Sequence, residues 1–165
     1  MNEENQNIGR IYLDYSRKRL LTEFLPRMER CLDELTEEQV WWRAHETDNA
    51  VGNLILHLSG NIRQWIVSGL GGAEDKRVRS EEFAERKHIP KAELAAKIRS
   101  TIEEADKVLE QYDVSQLLVV RHIQRWDTTP LDAVSHVVEH VAQHLGQIIY
   151  ITKLQKGVDL KFYDL

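Results

Sequence analysis

Residues 129–157 read TPLDAVSHVVEHVAQHLGQIIYITKLQKG, one long helix written with both of its ends. Thr129 suits an N-cap, Pro130 the first helical position, and Asp132 stands where a capping box takes an acid. Gly157 marks the exit. Leu131, Val134, Val138, Val141, Leu145 and Ile148 recur at spacings of three and four, the seam of a helix packed in an antiparallel bundle.

The same stretch carries His136, His140 and His144, each four residues from the next. Side chains at i and i+4 lie one above the other on a helix, so two such imidazoles can grip one ion. Setting Leu131 at zero and advancing about 100° per residue puts the seam at about 260° to 360°. Ser135, Glu139, Ala142, Gln143, Gly146 and Tyr150 then form a polar face at about 20° to 120°. His144 falls at about 220° and His140 at about 180°, beside Val137 and Ile151 at the margin of the buried arc. His136, at about 140°, drifts toward water. A metal site in a bundle forms where facing helices converge, which favours His140 and His144.

Working outward, the chain is helical nearly throughout. Residues from about Ile8 to Leu35 place Ile11, Leu13, Leu20, Leu21, Phe24, Leu25, Met28, Cys31 and Leu32 near helical spacing, with Pro26 predicting a kink or break. Thr36-Glu37-Glu38-Gln39 is a capping-box pattern that opens a short helix of about two turns through Trp41 and Trp42. After Asn49, the residues Val51, Leu54, Ile55, Leu58, Ile62, Trp65 and Ile66 share one face, and the helix should end at the Gly69 to Gly72 cluster. His57 lies about 60° off that apolar arc, next to Asn61, so it can point into a cleft between helices. The charged stretch Ala73 to His88 reads as a long loop around a single Phe83. Pro90 opens a helix through about Gln111, with Leu94, Ile98, Ile102, Ala105, Val108 and Leu109 inward. From Tyr112 to Asp127 the pattern, as in Leu117-Leu118-Val119-Val120, fits either a small hairpin or an irregular crossover. Four main helices with one apolar stripe each predict an all-α, up-down four-helix bundle with one long crossover, a single domain over residues 1–165.

Composition narrows the function. The net charge of −5 over 165 residues supplies no excess of cations for phosphates, which argues against a nucleic-acid partner. Cys31 is the only cysteine, so there is no disulfide framework and no thiolate zinc module. No segment approaches the roughly 18 to 20 apolar residues that cross a bilayer, and Met1 to Arg10 lacks the pattern of a secretory signal. A soluble, cytoplasmic protein with no membrane partner is expected.

Other motifs weigh less. His136-Val137-Val138-Glu139-His140 matches the H-x-x-E-H of inverted zinc peptidases, which need a further carboxylate far downstream, and only 25 residues remain. Glu85-Arg86-Lys87-His88 is a lone E-x-x-H, whereas a di-iron bundle needs two on helices. Trp41, Trp42 and Trp65 read as core rather than a ligand cage. Three imidazoles from two helices, by contrast, suit Zn²⁺, Ni²⁺ or a similar ion and leave positions open for water or substrate.

At these positions the chain resembles the DinB/YfiT-like superfamily of small four-helix metalloproteins. The resemblance rests on Asn49-Ala50-Val51-Gly52-Asn53-Leu54-Ile55-Leu56-His57-Leu58-Ser59-Gly60-Asn61 and on His140-Val141-Ala142-Gln143-His144-Leu145-Gly146-Gln147-Ile148, and extends from about Tyr12 to Leu154. It is strongest toward a branch with Gly-Asn-Leu-Ile-Leu-His-Leu and Arg77-x-Arg79-x-x-Glu82-Phe83. Carried over, the family pattern implies His57, His140 and His144 as ligands of one divalent ion per chain, zinc or nickel. It also implies a homodimer with the ion in a shallow cleft, and for some relatives transfer chemistry with a low-molecular-weight thiol. Asn61, His136, Gln147 and Arg63 are candidates for orienting a ligand or touching substrate, and Arg121 and Arg125 for holding a substrate carboxylate.

Three functions follow from such a site. One is a metal-dependent transferase joining a small thiol to an electrophile. Another is a hydrolase using metal-bound water, which would need a proton acceptor nearby. The last is a scaffold in which an ion merely pins two helices.

Overall fold

The structure, a computed structural model, describes residues 3–86 and 89–162. Its first rod is continuous through Pro26: α1 (Glu3–Lys18) runs into a π-helical segment (Arg19–Phe24) and then α2 (Leu25–Glu34). The wider turn, in which Leu25 N–H bonds to the Leu20 carbonyl, lies directly ahead of the proline that cannot donate, so the rod does not break. Thr36 closes a full capping box with Gln39 and starts α3 (Glu37–Val40), one turn rather than two.

The next rod, α4 (Val51–Ile62), also passes into a π-helical segment (Arg63–Ser68), with Gly69 and Gly71 N–H groups reaching the carbonyls of Gln64 and Ile66. It ends at the predicted glycines, Gly72 taking φ 77°. The following charged stretch is not wholly a loop: Arg79–Ala84 forms α5, with acids Glu81 and Glu82 in its first turn. Then come α6 (Lys91–Gln111) and a 3₁₀ turn at Val114–Gln116. The undecided segment resolves as a hairpin, β1 (Arg121–Ile123) pairing antiparallel with β2 (Trp126–Thr128) through Ile123↔Trp126. Its two-residue turn sets Gln124 at φ 59°. Last is α7 (Pro130–Lys156), capped by Thr129 accepting from Asp132 N–H and closed by Gly157 at φ 63°.

Polar contacts fix the directions of the rods. Arg10 donates to the carbonyls of Leu109, Glu110 and Tyr112, Arg17 pairs with Asp106, and Lys91 reaches the carbonyls of Leu32 and Leu35, so α6 runs antiparallel to α1–α2. His57 meets His140 and Asn61 meets His136, so α4 and α7 are antiparallel. With Trp41 Nε1–H on the Ile89 carbonyl and Arg63 on Glu104, α4 and α6 run the same way. A return over residues 73–90 is therefore required between them.

The all-α fold is as expected, and most of the predicted stripe residues are buried, among them Leu13, Leu25, Met28, Leu58, Ile98, Val141 and Ile148. Each such side chain contributes about 1.5–3 kcal/mol by leaving water. Ile11 departs from the expectation, and like Ile8 it is 60% exposed on α1. Among the described residues no helix is long and apolar enough to cross a membrane.

Candidate metal centre

On α4 nearly every side chain is buried, because the rod is enclosed by α5, α6 and α7 together. His57, 3% exposed, therefore sits inside the bundle. Across from it, α7 presents His140 and His144, both half-buried. His57 Nε2 and His140 Nε2 stand 2.8 Å apart, and the ring centroids of His144 lie 5.1 Å from His57 and 4.5 Å from His140. One ligand nitrogen from each of the three falls within 4.8 Å of the other two.

These three residues could hold a metal ion. Two ring nitrogens at 2.8 Å cannot both present lone pairs to one another without a proton or a cation between them. Nitrogens about 2.0–2.1 Å from one tetrahedral zinc ion stand about 3.3–3.4 Å apart, the spacing the rings would adopt around a bound ion. The two rings on α7 are pushed toward the uncharged form that can ligate. Burial first, then the neighbouring His144, His57, His136 and Arg77, push His140 down to about 3. Burial and His57 likewise lower His144, against a raising contribution from Gln147. His144 Nδ1–H donates to Gln147 Oε1 at 2.7 Å, which leaves its Nε2 bare.

His136 does not drift into water as the helix angles predicted. It is half-buried, stacked on His140 at 5.3 Å and against Trp65 at 4.7 Å, with Asn61 Nδ2 3.4 Å from its Nε2. Asn61 is 4% exposed and its Oδ1 has no hydrogen-bond partner. Arg63 pairs with Glu104 on α6. Arg121 and Arg125 belong to the hairpin, over Tyr112 and beside Trp126. Glu139 is exposed and His122 pairs with Asp127, while His88 lies outside the described residues.

Two residues that the helical patterns did not reach complete the centre. Glu82, on α5, places Oε2 3.0 Å from His57 Nδ1. Arg77 clasps both oxygens of that carboxylate, Nε to Oε1 at 2.7 Å and Nη2 to Oε2 at 2.8 Å. Burial pushes the Glu82 carboxyl up, but Arg77 and His57 outweigh it and hold the group below the usual carboxylate range. Asn53 anchors the backbone beneath, its Nδ2 donating to the carbonyls of Glu82 and Glu85. Phe83 closes over the His57 ring at 4.7 Å.

The profile of one family, described as "Protein of unknown function (DUF1572)", matches residues 7–164. No curated protein matches the chain.

Proposed function

Because the chain belongs to the DUF1572 family over almost its whole length, we propose, from that premise, a DinB/YfiT-like metalloprotein holding one zinc or nickel ion on His57, His140 and His144. Its reaction, on this reading, joins a low-molecular-weight thiol to a small electrophilic molecule. The supporting observation is the convergence of three imidazole nitrogens within 4.8 Å, with no fourth His, Cys, Asp or Glu in that group among the described residues. A divalent ion at such a site supplies Lewis acidity, which keeps a thiol ionised at neutral pH.

The chain's own groups fit that task. Gln147 and Glu82 orient His144 and His57 through their Nδ1 atoms. Trp65, Asn61 and His136 border one side, and the unpartnered Asn61 Oδ1 can accept a hydrogen bond from a substrate N–H or O–H. Cys31 is buried in the core, so the thiol has to come from outside. Glu82, the carboxylate touching the cluster, is committed to Arg77 and is a poor general base. One feature favours hydrolysis instead: His136, uncharged and stacked on His140, could take a proton.

The reading further has the protein act as a homodimer in the cytoplasm. A stripe of exposed Ile8, Ile11 and Tyr15 along α1 supports the dimer. The test is to incubate metal-loaded protein with an activated electrophile, with and without a small thiol. A thiol adduct is expected; product formed without thiol would mean hydrolysis, and no product with lowered thermal stability in His140→Ala would mean a scaffold.

A further inference from the structure

His57 Nδ1 has two polar neighbours, Glu82 Oε2 at 3.0 Å and Arg77 Nη2 at 3.1 Å. The first can only accept a proton from the ring and the second can only donate one to it, so they select opposite tautomers. The guanidinium protons have other destinations. Nε donates to Glu82 Oε1, Nη1 to Gln64 Oε1 at 2.8 Å, and Nη2 to Glu82 Oε2, with the His57 carbonyl 3.5 Å from the same nitrogen. That leaves Nδ1 as the donor to Glu82. A ring protonated on Nδ1 has its lone pair on Nε2, the atom that faces His140.

The carboxylate is not a chance neighbour. Arg77 and Glu82 side chains are 8% and 11% exposed, so neither charge could be left alone at that depth. Gly60 on α4 supplies the room, because a Cβ there would overlap Glu82 Oε1. Asn53, fully buried, ties the same segment down, and Arg79 stacks on Phe83 at 5.1 Å.

We propose that Glu82 is a positioning residue: carried on the crossover and clasped by Arg77, it accepts the Nδ1 proton of His57 and so directs the Nε2 lone pair at the ion. Retention of metal then depends on the docking of residues 77–85 onto α4, and Arg77 keeps both carboxylate oxygens occupied so that Glu82 remains outside the coordination sphere. This rests on the metal-site reading above, yet it makes a claim that does not need the metal.

Long-range proton–nitrogen correlation spectra of the chelator-treated full chain read the His57 tautomer directly. The expected result is Nδ1–H in the wild type. In Glu82→Gln the amide oxygen is taken by Arg77 and its NH₂ faces the ring, so the tautomer should switch to Nε2–H. Zinc affinity, read by competition with a chromophoric chelator, should fall roughly 10- to 100-fold in Glu82→Gln and in Arg77→Gln, and stay level in the exposed control Glu81→Gln. An Nε2–H wild type overturns the proposal, and so does Glu82→Gln with unchanged tautomer and affinity. If the wild type binds no zinc, the metal reading fails, while the tautomer still decides the role of Glu82. Should Glu82→Gln not fold, the wild-type spectrum and the Arg77→Gln titration carry the test.

Discussion

Gly60 leaves the space that Glu82 fills: a Cβ at Gly60 would overlap Glu82 Oε1 and stand 2.8 Å from Arg77 Nε. A glycine inside a helix gives up about 0.5–1 kcal/mol relative to alanine, so its presence in α4 is explained by what it admits. Gly60→Ala should therefore keep its helix content by circular dichroism while binding zinc roughly tenfold more weakly, as loss of an orienting carboxylate does. Wild-type affinity in that variant would separate the clasp from the metal site.

Without metal, the histidine cluster makes stability depend on pH. Burial first, then His144, His57, His136 and Arg77, holds folded His140 to about 3, and burial lowers His144 and His136 in the same direction. An unfolded imidazole takes its proton near about pH 6.5. Between about pH 6.5 and 3 the unfolded chain binds more protons, so stability that is complete above the unfolded pKa drains away as pH falls. Thermal melts of chelated protein should show Tm declining from about pH 7 to 5, and less steeply in His140→Gln. A Tm independent of pH over that span would contradict the burial of uncharged rings.

Cys31 should be silent. Burial pushes its thiol up to about 11, against a small opposing effect of the Thr152 hydroxyl. Labelling by a thiol reagent at about pH 8 should be negligible until the protein is unfolded, and Cys31→Ala should cost about 1 kcal/mol without changing zinc stoichiometry. Rapid labelling of the native protein would mean that the core around α2 and α7 opens readily.

The N-cap of α7 can be weakened without touching the centre. Thr129 Oγ1 accepts from Asp132 N–H at 3.2 Å, eleven residues before His140. Thr129→Ala should cost about 1 kcal/mol, a fall of roughly 2–4 °C in Tm for a chain of this size. Zinc affinity should not change, and Thr129→Ser should restore the Tm.

Helix ends and the histidine pair on α7 are legible because each obeys a local rule. Thr129, Pro130 and Gly157 punctuate α7, and His140 and His144 share a face by spacing alone. Helix angles misplace His136 for a definite reason: Leu131 and Val138 on the predicted seam are only partly buried, whereas Ala133 and Val137 are fully buried and turn the inward face toward the histidines. Glu82 escaped because its partner is 25 residues away across a charged segment with no helical period. The branch signature Arg77-x-Arg79-x-x-Glu82-Phe83 contains both residues of the clasp, without indicating that they dock on His57. Ile8 and Ile11 match the helical period but face outward, since periodicity does not distinguish a core from a surface awaiting a partner.

Metal content tests the central claim most directly. Protein reconstituted with zinc, dialysed and analysed for bound metal should retain close to one ion per chain in the wild type, and almost none in His57→Ala, His140→Ala or His144→Ala variants that remain folded by circular dichroism. Wild-type protein that holds no stoichiometric divalent ion, or variants that hold as much as it does, would contradict the account.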